Sequence, residues 1–209
     1  MRILIADDHQ LIREGLRRAL IGTSEITDVS EAETGQQAID MARHGSWAVL
    51  ILDINLPGKS GFDVLTELRQ NKPAIPVLIL SMHPALQFGV RALHAGASGY
   101  LSKTASTEEL LRAIRKVAGG GKYISGEIAE ELAVQLDHNP DLPPHTLLSD
   151  REFQVFLLIG SGKTVGEIAR ELNLNVKTIS THRVHILEKM HLQNNAQIMH
   201  YAIARGLID

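Results

Sequence analysis

The chain has 209 residues, 44% of them hydrophobic, and a formal net charge of −3, which suffices for one sizeable core or two smaller ones. The absence of cysteine excludes disulfides and thiolate metal sites; with no apolar run of membrane-spanning length and Asp7-Asp8 too near Met1 for a signal peptide, a soluble cytoplasmic protein is expected. Charge is unevenly shared, 14 Lys/Arg against 18 Asp/Glu up to His145 and 7 against 6 beyond it, so the C-terminal part is mildly basic, which suits nucleic acid and equally suits ordinary surface.

In chain order, Ile3 to Ala6, Ala48 to Leu52 and Val77 to Leu80 are near-continuous apolar blocks rich in Ile, Val and Leu. Such blocks suit strands buried on both faces of a parallel sheet. Thr27 to Ala32 and Gly99 to Leu101 are weaker strand candidates. Helical patterns lie between them, and Thr34 with Gln37 and Ser106 with Glu109 have capping-box spacing. A βα unit repeated five times predicts a doubly wound five-stranded parallel sheet over residues 1–120.

Gly119-Gly120-Gly121 ends the last helix of that domain. Residues 121–146 read as a linker with a short helix near 128–136, followed by the proline-punctuated run from Asp137 to His145. From 147 to 209 no strand-like block remains. Four helices are predicted there: Asp150 to Ile159 behind a Ser149/Glu152 box, one opened by Thr164 and Glu167, one capped by Asn175 and running to Met190, and Asn195 to Arg205 ahead of Gly206.

Ligands of doubly wound folds sit outside the carboxyl ends of the strands, so the residues ending each strand test for a site. The first strand ends in Asp7-Asp8, the third in Asp53, the fourth in Ser81, and Lys103 follows the fifth. Three crowded carboxylates repel one another unless a cation joins them. A hard divalent cation with oxygen ligands, Mg²⁺, is the natural partner. Asp53 could then act as a nucleophile toward a phosphoryl group, with Lys103 offsetting its charge and Ser81 donating to one of its oxygens. Each residue alone reads more simply as a turn, a cap or plain surface; the weight lies in five arriving at the correct strand ends.

Asp7-Asp8, the Ile-Leu-Asp-Ile-Asn-Leu-Pro-Gly run from Ile51 to Gly58, Ser81 and Gly99-Tyr-Leu-Ser-Lys103 together resemble the receiver domain of bacterial response regulators, a flavodoxin-like fold. The resemblance implies that Asp53 is the phosphoacceptor. It also implies that Asp8 ligates the metal directly, with Asp7 beside it or acting through water, and that the backbone carbonyl of Asn55 completes the set. Ser81 and Tyr100 would form a switch pair, the hydroxyl swinging toward the phosphoryl group and the ring following it inward. Many receivers have a proline after the lysine, in a cis peptide; here Thr104 stands there, and a cis bond before a non-proline costs about 3 kcal/mol.

In the C-terminal part, Ile168, Ala169 and Leu172 make one apolar face, and Ile179, Ile186, Leu187 and Met190 another. Lys177, Thr178, Ser180, Thr181 and Arg183 crowd the start of the second of these helices, where a helix lying in the major groove meets base edges and phosphates. Any small helical bundle with one polar helix would look similar. The specificity comes from Leu148-Ser-Asp-Arg-Glu152, Gly162, Glu167-Ile-Ala169, Leu172, Lys177-Thr178, His182 and Lys189, which are similar to the LuxR-type helix-turn-helix of the NarL/FixJ regulators. Where that family commonly has Ser-Asn-Lys, this chain has Thr164-Val-Gly166, one lysine fewer near the DNA backbone.

Two motifs mislead. Gly160-Ser-Gly-Lys-Thr164 ends like a phosphate-binding loop, but the first glycine of that motif would fall at Leu157 and a helix, not a strand, precedes it. His182 and His185 share a helical face without a third ligand at metal spacing. A nicotinamide site is a poor reading as well, because no glycine-rich turn follows the first strand.

The expectation is therefore a transcription regulator and not an enzyme. A partner sensor histidine kinase would phosphorylate Asp53 with Mg²⁺, shifting dimerisation and the binding of double-stranded DNA. The resemblance implies DNA contacts from Lys177, Thr178, Ser180, Thr181, His182, Arg183 and Lys189, and a homodimer formed through the last helix near Ile198 and Ala202. The alternative is a constitutive DNA-binding regulator whose receiver serves only as a dimerisation scaffold.

Overall fold

Apolar strands too short to be stable alone build the N-terminal half of the computed structural model, which describes residues 1–70, 75–82, 85–126, 128–130 and 143–208. The chain divides into two units, Met1–Asp137 and His138–Asp209. Most of the predicted short helix, and most of the proline-punctuated run after it, lie outside the described residues.

In the first unit, β1 (Arg2–Ala6), β2 (Asp28–Ala32), β3 (Val49–Asp53), β4 (Val77–Ser81) and β5 (Gly99–Ser102) form one parallel sheet in the order β2-β1-β3-β4-β5. The helices between and after them are α1 (Gln10–Ile21), α2 (Gly35–His44), α3 (Gly61–Gln70), α4 (Ala85–His94) and α5 (Thr107–Ala118). Every residue of β3 and β4 is buried, which is why those segments read as unbroken apolar runs. On one face Ile3, Ile5, Val49, Ile51, Leu78 and Leu80 pack with Leu20 of α1 and Leu110, Ile114 and Val117 of α5. Burying each such side chain stabilises the fold by about 1.5–3 kcal/mol.

Strand order reverses between β1 and β3, the place where such sheets open a crevice at their carboxyl ends. Pairing sets Ala6 beside Leu52, Asp53 beside Leu80 and Ser81 beside Ser102. The next residues of β1 and β5, Asp7 and Lys103, are thereby delivered to the same edge as Asp53 and Ser81. The peptide after Lys103 is trans.

The described residues of the second unit open with a 3-10 turn at Pro144–Leu147 and continue as α6 (Asp150–Gly160), α7 (Val165–Glu171), α8 (Val176–Lys189) and α9 (Asn195–Ala204). Its core joins Phe153, Phe156 and Ile159 of α6 to Ile168, Ile179, Ile186, Ile198 and Ala202. Ile198 and Ala202 are fully buried, so they cannot form a dimer surface. The apolar side chains that α9 turns outward are Met199 and Ile203.

All four helices have side-chain N-caps, from Ser149, Thr164, Asn175 and Asn194, the first two as full capping boxes. All four also end in the same pair of backbone bonds, running from residues 162 and 163, 173 and 174, 191 and 192, and 206 and 207 back into the last turn. The residue after each C-cap takes a positive φ: Gly162, Asn173, His191 and Gly206.

Candidate functional site

The Asp53 carboxylate, 2% exposed, accepts a hydrogen bond of 2.7 Å from the Lys103 ammonium. The same ammonium lies 2.6 Å from Asp7, also 2% exposed. One buried cation therefore faces two buried carboxylates, with Asp8 beside them. Burial pushes the Asp53 carboxyl above its usual range; Lys103 pulls it back, Asp7 adds to the push, and the backbone N–H of Asn55 opposes it, leaving it raised. Burial works to lower the Lys103 pKa, but the carboxylates outweigh it and hold the ammonium above its ordinary value.

Ligand atoms of Asp7, Asp8, His9 and Asp53 lie within 4.8 Å of one another. Asp8 Oδ1 is buried and accepts no hydrogen bond, and His9 Nδ1 lies 2.7 Å from it. Three carboxylates against one ammonium leave two negative charges uncompensated. A divalent oxygen-seeking cation is what this donor set fits.

Ser81 is fully buried and hydrogen-bonded to the Tyr100 hydroxyl. The Tyr100 ring, 1% exposed, already lies inside the fold. Burial lifts its hydroxyl far above the usual phenol range, against the Ser81 hydrogen bond and helped by the charge on Asp53.

Two participants escaped the sequence reading. His9 donates its backbone N–H to Asp7 Oδ1 at 2.8 Å, fixing the turn after β1. Arg13, 5% exposed, donates to the Asp7 carbonyl at 2.8 Å and pairs with Glu31 and Glu33. The available signal was a cation placed seven residues before the buried Leu20, on the stripe that α1 turns inward.

In the second unit, α7, a turn at Asn173 and α8 form a helix-turn-helix. Lys177, Thr178, Ser180 and Thr181 are exposed on the first half of α8, and His182 and Arg183 are half-buried. Helical spacing puts Lys177, Ser180, Thr181 and the exposed Val184 on one face. The hydroxyls of Ser180 and Thr181 donate to carbonyls one turn back. Arg183 donates to Asn195 at 2.6 Å. Lys189 donates at 2.6 Å to Glu152, whose carboxylate also accepts from the Ser149 N–H. Burial pushes the Glu152 carboxyl upward, but Lys189 and Ser149 outweigh it and hold it below the usual range. Arg183 and Lys189 thus tie α8 to its own unit. Of the residues set aside above, Lys163 pairs with Glu171, and the only group of three or more possible metal ligands among the described residues is the acidic one.

Fold and sites together define an aspartate-centred receiver followed by a helix-turn-helix unit. Comparison with known proteins agrees: the response regulator receiver domain model matches residues 3–115 and the model of bacterial regulatory proteins of the luxR family matches residues 146–202. Response regulator UvrY of Escherichia coli K12 is 33% identical over 210 residues, spanning 100% of this chain and 96% of its own. Response regulator GacA of Pseudomonas aeruginosa PAO1 is 32% identical over 210 residues, spanning 100% and 98%. Among solved structures, a complex of the two-component response regulator RcsB with DNA superimposes with a TM-score of 0.59 at 25% identity, covering 96% of each chain. The chain belongs to the response regulators of the NarL/FixJ type, in which a receiver precedes a LuxR-type helix-turn-helix.

Proposed function

We propose that Asp53 is the phosphoacceptor of a two-component relay and that its phosphorylation controls the binding of double-stranded DNA by α8. The observation that carries this is the Lys103 ammonium shared between Asp7 and Asp53 at the reversal of strand order. An Asp53 oxygen attacks the phosphorus of a phosphohistidine on a sensor kinase. The P–N bond breaks, and the imidazole nitrogen leaves with the electron pair. Lys103 offsets charge on the transferred group, and Ser81 donates its hydroxyl to a phosphoryl oxygen, giving up Tyr100 as its partner. Asp7, Asp8, Asp53 and the Asn55 carbonyl would hold Mg²⁺, which neutralises and orients the phosphoryl oxygens when bound. The protein itself turns over no substrate and works in the cytoplasm.

On the DNA side, Lys177 and Thr178 reach phosphates while Ser180, Thr181 and Val184 face base edges. His182 contacts the backbone from the flank, and Arg183 and Lys189 hold the helix at its docking angle. A second copy of the chain pairs through Met199 and Ile203, the outward apolar side chains of α9.

Labelling with a small phosphodonor and Mg²⁺ tests the first unit. Wild-type chain should gain acid-labile phosphate and Asp53→Asn none; equal labelling of both would overturn the assignment. For the second unit, Lys177→Ala should weaken binding about tenfold and flatten the salt dependence by roughly one counterion. An unchanged salt slope would remove Lys177 from the interface.

A further inference from the structure

Residues that follow α5 read as the start of a linker, yet the described ones return to the sheet. The Tyr123 N–H donates to the Ser98 carbonyl at 2.9 Å, and the Tyr100 N–H donates to the Tyr123 carbonyl at 3.2 Å. Tyr123 thus makes a one-residue parallel bridge to Gly99 on the free side of β5. Its hydroxyl donates to Glu109 at 3.0 Å, and Lys122 donates to the Ala97 carbonyl. Glu109 is spent on this contact, which leaves the Ser106 cap with only half of its predicted box. Ser125 then opens a helical turn, and Ile128 within it is fully buried.

What Ile128 is buried against gives the contact its meaning. A Cβ placed on Gly89 of α4 would stand 2.4 Å from Ile128 Cδ1 and 3.7 Å from Tyr100 Cγ. A Cβ on Gly99 would stand 2.8 Å from the Tyr123 carbonyl oxygen. Glycine weakens the interior of a helix or strand, and at both positions its missing Cβ is replaced by residues of this returning segment. The two landing points flank Tyr100, whose backbone is bonded to Tyr123 and whose ring shares the Gly89 niche with Ile128.

We propose that Ile128 and Tyr123 are positioning residues of the Ser81–Tyr100 switch. They latch the Tyr100 ring in its inward position, so that docking of segment 121–130 and binding of a phosphoryl group at Asp53 favour each other. Coupling of this kind is reciprocal: whatever tightens one tightens the other by the same factor. A ring turned outward would vacate its side of the niche beside Gly89 and leave Ile128 to fill that niche alone. The segment leads in sequence to the helix-turn-helix unit, so the state of Tyr100 is written first into the chain that joins the two.

The proposal rests on Asp53 being the phosphoacceptor, and the test separates the two. Affinity of the full chain for beryllium trifluoride with Mg²⁺ is measured by calorimetry, together with amide exchange over residues 121–130. Wild type should bind the probe, and exchange in that segment should slow on binding. Ile128→Ala should weaken binding at least fivefold and abolish the slowing. Gly89→Ala, which displaces the Ile128 side chain without shortening it, should do the same, and Ile128→Val should recover most of the affinity. Failure of wild type to bind would overturn the phosphoacceptor assignment and this proposal with it. Binding by wild type with equal affinity in Ile128→Ala and Gly89→Ala would overturn the latch alone. So would a loss that Ile128→Val shares in full, or exchange in 121–130 that ignores the probe.

Discussion

The two units spend their polar groups in opposite ways. In the receiver, Asp7, Asp53 and Lys103 are buried together with more negative than positive charge, and Asp8 keeps a buried oxygen without a hydrogen bond. In the helix-turn-helix unit the recurring polar contacts serve helix ends: four side-chain caps and four matching C-terminal motifs in about sixty residues. One unit holds an electrostatic imbalance that a ligand can relieve. The other is built to present α8 in a single orientation. Input calls for a site that changes when charge arrives, whereas output calls for a surface that keeps its shape.

The sharpest way to break this contrast is Lys103→Ala. It leaves two buried carboxylates without their cation and should destabilise the receiver by about 3 kcal/mol, with millimolar Mg²⁺ restoring most of the loss. The only tryptophan, Trp47, lies in the receiver, so its fluorescence melt reports that unit alone. A loss no larger than that of an exposed pair such as Lys163–Glu171, under about 1 kcal/mol, would show that the receiver site is not under tension.

In the second unit, Glu152→Gln weakens both the capping box and the hold on Lys189, and should lower stability by about 1–2 kcal/mol at neutral pH. Because the Glu152 carboxyl is depressed in the folded state, its contribution is complete above the unfolded value of 4.5 and lost as pH falls through the folded one. Between pH 6 and 3 the wild type should therefore lose its advantage over the variant, as followed by amide exchange in α6. Parallel pH curves would show that the carboxylate's charge is irrelevant.

The smallest effect has the opposite sign. His191 holds a φ of 53° at the end of α8, a conformation in which glycine is strained far less. His191→Gly should stabilise the unit by about 0.5–1 kcal/mol, raising its melting temperature by several degrees. A decrease would mean that the imidazole contributes contacts worth more than the strain.

The βα rhythm, the residues at the strand ends and the four C-terminal helices were legible because each rests on a local rule: apolar runs for buried strands, carboxyl-end chemistry, and cap spacing. What stayed hidden depended on tertiary choices. The resemblance points to Ile198 and Ala202 of the last helix as a dimer surface, and only the packing of that helix turns those two inward and Met199 and Ile203 outward. Arg13 lies on the inner stripe of α1 as a cation whose partners, Glu31 and Glu33, are on and just after β2. The segment from Gly121 to Gly126 reads with the linker because Gly119-Gly120-Gly121 ends the last helix before it, and only Gly89 and Gly99, distant in sequence, explain where it lands.

That landing has a further consequence for handling the molecule. β5 ends the sheet, and an open strand edge is a template for strands of other molecules. The backbone of Tyr123 occupies that edge beside Gly99 and Tyr100. A receiver cut after Gly120 would lose this cover together with Ile128 and would present a short apolar edge to its neighbours. A receiver extended through residue 130 keeps the edge closed, so self-association should separate the two lengths of chain even where their phosphorylation chemistry is the same.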